Sequence, residues 1–157
     1  MIKFLKIRNV KSPEREVGNA GIDLFVPSDF KEVVLKPLEQ IIIPSGLKVH
    51  IELNKALSLF DLGIDLLVEN KSSISTQKGL LITCCEIDEN YQGEIHIGVV
   101  NASRKKVVVK PNEKLVQIVP RIYVTEKIKV YENIDENIFY KNFKWKNRNS
   151  GAFGSTN

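Results

Sequence analysis

The chain has 157 residues, 43% of them apolar and 27% charged, with a formal net charge of +4 at pH 7. That apolar content excludes a disordered chain, and the length allows one domain around one core. The mild basic excess suits an anionic ligand, but four bases around Phe143 and Trp145 are a thin basis for a nucleic-acid groove, and no nucleic-acid partner is expected.

The start, MIKFLKIRNVKSPER, lacks the apolar h-region of a signal peptide, and no apolar run approaches the roughly 18–20 residues of a membrane span. The expectation is a soluble intracellular protein, cytoplasmic, with no membrane partner. NAGIDLFVP (19–27) sets Asp23 inside an apolar stretch, where a carboxylate needs a partner such as an Arg or a backbone N–H. VVLKP, QIIIP and GLKVHIEL follow as short β-branched runs bounded by Pro or Gly. NKALSLFDLGIDL (54–66) has weak helical character and reads equally as a loop with a strand. DLLVEN, GLLITCCEI, GEIHIGVV, KKVVVKP and KLVQIVPRIYV continue the strand pattern, with Ile95, Ile97 and Val99 on one face. Many short strands at near-regular spacing predict an all-β barrel or jelly roll. Cys84 and Cys85 are adjacent and read as reduced packing residues. With His50 and His96 far apart, no structural zinc site is expected. After about residue 130 the pattern ends, so the division is a domain over 1–130 and a mobile arm over 131–157.

Four segments offer chemistry. NKSSIS (70–75) groups an ammonium with hydroxyls at Ser72, Ser73 and Ser75, which suits phosphate oxygens or an ordinary polar turn. EIDENYQGE (86–94) sets Asp88 after a strand-like run, with Tyr91 beside it and Gly93 for a sharp turn. Such a carboxylate is a general base on water, or else caps its own turn. PNEKLVQIVP (111–120) is a turn and buried strand whose Gln117 needs a hydrogen-bond partner in core or ligand. RNSGAFGSTN (148–157) is donor-rich, with one guanidinium and one ring.

In this order, AGIDL, KSSIS, EIDENYQGE, NEKLVQIV and RNSGAFGSTN resemble the five motifs of the trimeric dUTP nucleotidohydrolases (dUTPases), over nearly the whole chain. The last is similar to RGSGGFGSTG. The resemblance implies a distorted jelly-roll or β-barrel protomer with a flexible C-terminal arm. It also implies a homotrimer whose active sites are shared between chains, and dUTP as substrate with Mg2+ held mainly by the phosphates and water. Asp88 would be the base and Tyr91 the deoxyribose platform that excludes a 2′-hydroxyl. The backbone from Ile82 through Glu86 to Ile87 would read uracil. Lys71, Ser72, Ser73 and Gln117 would serve the phosphates. Arg148 would meet the γ-phosphate, Phe153 would cover the base, and Gly154, Ser155 and Thr156 would wrap the triphosphate. Lys71 stands where the family has Arg, Ser73 where it has Gly, and Asn90 where it has Asp. The 52–70 stretch looks longer than usual. The dCTP deaminases share the fold but carry a Glu at the position matching Gly98, so deamination lacks its proton carrier here. A regulatory binding module is the non-enzymatic alternative.

Overall fold

The computed structural model describes residues 1–53, 57, 59–125 and 129–140, without the side chains of 136 and 137. Met1–Glu126 form one compact unit and Lys127–Asn157 another.

The first unit is built from eleven described strands that pair only antiparallel. β1 (Ile2–Lys6) pairs with β5 (Leu47–Ile51), and β3 (Val33–Leu35) with β10 (Val107–Val109). β4 (Gln40–Pro44), β9 (His96–Asn101) and β7 (Leu80–Ile82) form a three-stranded sheet in that order. The fourth sheet runs β2 (Ile22–Phe25), β11 (Lys114–Val124), β6 (Leu62–Asn70), β8 (Glu86–Ile87). These are the strands of a jelly roll. The alternation read in GEIHIGVV is present, since Ile95, Ile97 and Val99 are all buried. They join Leu24, Ile43, Leu47, Leu66, Leu80, Leu115 and Ile118 in one core. β1 lacks the Gly and Pro boundaries that mark the other runs, and the sequence reading separated neither β1 nor β2 as a strand, although Gly21 and Pro27 flank β2.

Two backbone details set up the site. Asn112 takes a left-handed φ of 62° at the turn before β11, which a short polar side chain tolerates. The 70–75 segment is not a simple turn: it enters a helical turn, Ile74–Lys78, that ends at Gly79 with φ 68°. The 54–66 stretch resolves into helical positions at residues 57 and 59, a turn, and then β6. In the second unit a single helical turn, Glu136–Phe139, carries Phe139 edge-on to Tyr131 and Tyr140.

Candidate active site

Asp88 follows β8 directly and is exposed. Its carbonyl accepts the Tyr91 N–H at 3.0 Å, closing a turn that holds the carboxylate outward. Together with Asp61, Glu89, Asn90 and Tyr123 it lines a cleft of about 560 Å³. Tyr91 donates its hydroxyl to the Glu94 carbonyl at 2.9 Å. Its ring lies over Gly93, where a Cβ would stand 2.3 Å from the Tyr91 hydroxyl. Gly93 therefore makes room for the ring at a bend of the backbone, without needing a positive φ.

The segment proposed for base reading surrounds this turn. β8 is the edge of its sheet, so one side of its backbone has no strand partner among the described residues. Ile87 is buried and anchors it. The Glu86 side chain is held by Arg121. Ile82 donates its N–H to the Asn70 side chain at 3.0 Å. Cys84 is half-buried and Cys85 exposed, both as free thiols, so only Cys84 serves packing. It does so against Gly98, where a Cβ would meet the Cys84 sulfur at 2.4 Å. The position that carries a Glu in the deaminases has no room here for a side chain.

Lys71 and Gln117 line a second cleft with Glu14, Asp23, Glu69 and Lys114. Asp23 is mostly buried, and its partner is Lys71, at 2.6 Å, with Lys114 at 3.4 Å. The expectation of an Arg or backbone partner is thus corrected to two ammonium groups. Lys114 also pairs with Glu14 at 2.8 Å. The hydrogen bond to Glu14, aided by Asp23, raises the Lys114 ammonium above the ordinary lysine range. Gln117 donates to the Asn70 carbonyl at 3.3 Å, which answers its need for a partner with backbone. Ser72 and Ser73 are exposed at the entry of the helical turn. Arg148, Phe153, Gly154, Ser155 and Thr156 lie outside the described residues.

The two clefts stand at opposite ends of the same strands. Leu62 and Tyr123 line the first; Glu69 and Gln117 line the second. Seven residues of β6 separate Leu62 from Glu69, about 23 Å at the usual strand rise. Asp88 and Lys71 thus line different clefts of one chain. Sequence reasoning missed Lys114, Glu89, Arg121 and Tyr123. The only local signal for the last pair is a polar i, i+2 pattern at the exposed end of β11.

Three comparisons bear on this arrangement. The dUTPase family model matches residues 9–156. The chain is 34% identical over 122 residues to the deoxyuridine 5'-triphosphate nucleotidohydrolase of Fusobacterium nucleatum, covering 75% of this chain and 76% of that protein. It is 28% identical over 158 residues to the protein of the same name in Finegoldia magna, covering 99% and 97%. Among solved structures, a dUTPase of Staphylococcus bacteriophage 80alpha aligns with a TM-score of 0.76 at 21% identity, over 99% of this chain and 97% of that one. At that identity the likeness speaks for the fold alone. The family match spans almost the entire chain and takes in all five motifs, and the chain belongs to the dUTPase family.

Proposed function

We propose that this protein hydrolyses dUTP to dUMP and pyrophosphate through attack of water on the α-phosphorus, limiting uracil in DNA and supplying dUMP. The observation that carries this reading is Asp88, exposed on a closed turn in a cleft, one turn away from the ring of Tyr91, in a chain of this family. Asp88 orients the water and takes its proton. Tyr91 packs on the deoxyribose. The free edge of β8, with the backbone from Ile82 to Ile87, reads the uracil imide and leaves no space for a thymine methyl.

Lys71, Ser72, Ser73 and Gln117 receive the phosphates. An ammonium has three donors, so the Lys71 bond to Asp23 leaves two for phosphate oxygens. The placement of Asp88 and Lys71 on separate clefts supports a homotrimer in which one chain supplies the base and a neighbour the phosphate cradle. The arm closes the site as a lid, with Arg148 on the γ-phosphate, Phe153 over the base, and Gly154, Ser155 and Thr156 around the triphosphate.

Beside Lys71, Asp23 is already neutralised by two ammonium groups, which leaves the Glu69 carboxylate and the Gln117 amide as oxygen donors that a hydrated Mg2+ would meet through its waters. They fit an ion that the substrate's phosphates hold, and when bound it neutralises phosphate charge. The proposed location is the cytoplasm, of the host cell if the source is viral. No helix among the described residues is long and apolar enough to cross a membrane.

The test is pyrophosphate release from dUTP, with dCTP, dTTP and UTP alongside, with and without Mg2+. Release from dUTP alone is the expected result; no release from any of the four refutes the reading. Asp88→Asn should keep nucleotide binding while kcat falls by about 10²–10⁴. Near-normal kcat in that variant would remove Asp88 as the base.

A further inference from the structure

We infer that Arg121 and Tyr123 are positioning residues for Asp88, gripping its turn from both sides through Glu86 and Glu89. The inference rests on the reading of Asp88 as the base. Arg121 and Tyr123 stand two apart on β11, so they share one face of the sheet. Across β6 they oppose Asp65 and Gly63. Asp65 is buried and takes the guanidinium as a fork, from Nε at 3.1 Å and Nη2 at 2.5 Å. The same Nη2 donates to Glu86, two residues before Asp88. Arg121 thus spans three strands and fastens the outermost.

Gly63 has the complementary role. A Cβ there would stand 2.3 Å from Cζ of Tyr123, so only a glycine lets the ring lie across β6. Having crossed, the Tyr123 hydroxyl donates to Glu89 at 3.3 Å. The same carboxylate oxygen faces the Ile64 N–H at 3.5 Å. Glu89 immediately follows Asp88 and lines the same cleft, as does Tyr123. Burial, then the charge of Glu89, raises the Tyr123 phenol above its ordinary range.

The grip has work to do because β8 is only two residues long and pairs with β6 alone. So short an edge strand leaves the Asp88 turn held by its pairing with β6 and by the Asp88–Tyr91 backbone bond. The Arg121–Glu86 and Tyr123–Glu89 pairs are exposed and add little to global stability, whereas Arg121→Gln also strips buried Asp65 of its fork and carries a folding cost of its own. The effect of the two exposed pairs falls on the aim of Asp88, where a displacement near 1 Å costs about 10²-fold in rate.

The experiment uses the full chain with Tyr123→Phe, Arg121→Gln, Glu89→Gln, Glu89→Ala and the Arg121→Gln/Tyr123→Phe double variant. It reads kcat and KM for dUTP, the Kd of a non-hydrolysable dUTP analogue, and amide hydrogen exchange. The single variants should lose about 3–10-fold in kcat and the double about 100-fold, with KM and Kd within about twofold. Glu89→Gln, which keeps an acceptor, should retain more kcat than Glu89→Ala. In Tyr123→Phe, exchange should accelerate over residues 84–91 alone. Native kcat with native exchange overturns the inference, as does a kcat loss matched by weaker analogue binding and faster exchange throughout. Should Arg121→Gln fail to fold, Tyr123→Phe decides, because it removes one hydroxyl and leaves the ring over Gly63. A wild-type chain that does not turn over dUTP sinks the hydrolase reading. The exchange arm then still judges the grip, with faster exchange over 84–91 supporting it and unchanged exchange refuting it.

Discussion

Gly98→Ala adds one methyl at the centre of β9 and should be felt in base recognition. The new Cβ would stand 2.4 Å from Cys84 Sγ, 2.5 Å from Thr83 Oγ1 and 3.3 Å from the Cys84 backbone nitrogen. Comfortable carbon contacts lie near 3.5–4.0 Å, so the two side-chain atoms must yield by about 1 Å. The backbone must give by a few tenths more. The 83–85 loop cannot simply lift away, because the Thr83 N–H is bonded to the Gly98 carbonyl at 2.9 Å. Overpacking of this size costs about 1–3 kcal/mol. The loop joins β7 to β8, so the displacement passes into the backbone assigned to uracil. If about 1.4 kcal/mol of it falls on substrate binding, KM for dUTP rises about tenfold. Steady-state kinetics on G98A, with a melting curve as control, measures this. Adding Thr83→Ala and Cys84→Ala to that variant should restore most of the loss by removing the two obstructing atoms. A G98A enzyme with native KM and kcat, or a defect that the added substitutions do not relieve, would refute the reasoning.

Three further outcomes are expected. Truncation before Arg148 should leave a folded protein with crippled dUTP hydrolysis; unchanged turnover would show that the arm is not a lid. Ile97→Ala empties a fully buried position and should destabilise by about 2–5 kcal/mol, read as a lower urea midpoint at unchanged slope. Glu52 is paired with Lys3 at 2.9 Å, and that hydrogen bond lowers its carboxyl below the ordinary 4.5. A depressed folded value means the pair's contribution is present above 4.5 and disappears as pH falls through the lower folded value. Stability of wild type and Glu52→Gln should therefore converge in acid, and a constant gap between them would disprove the linkage.

The local pattern carried a long way in this chain. Period-two burial at Ile95, Ile97 and Val99 is a property of one strand, so it is visible in eight consecutive letters. The turn before β11 is likewise announced by Pro111 and Asn112, whose backbone preferences act within the segment itself. The motif order pointed to Asp88, Tyr91, Lys71 and Gln117; the structure places Asp88 on one cleft, Lys71 and Gln117 on the other, and Tyr91 on the turn beside Asp88, outside the lining of both.

The sequence by itself determined the strand-rich class, the alternation of the core and the segments where chemistry resides, because each depends on neighbours along the chain. Only the tertiary structure decided that Asp23 meets Lys71, 48 residues away, and that Arg121 and Tyr123 reach across β6 to either side of Asp88. It alone set Asp88 and Lys71 on two separate clefts of the β6–β11 sheet. Those facts follow from strand register, where a slip of one residue would turn every side chain to the other face, and register is fixed by the pairing of segments that are remote in sequence.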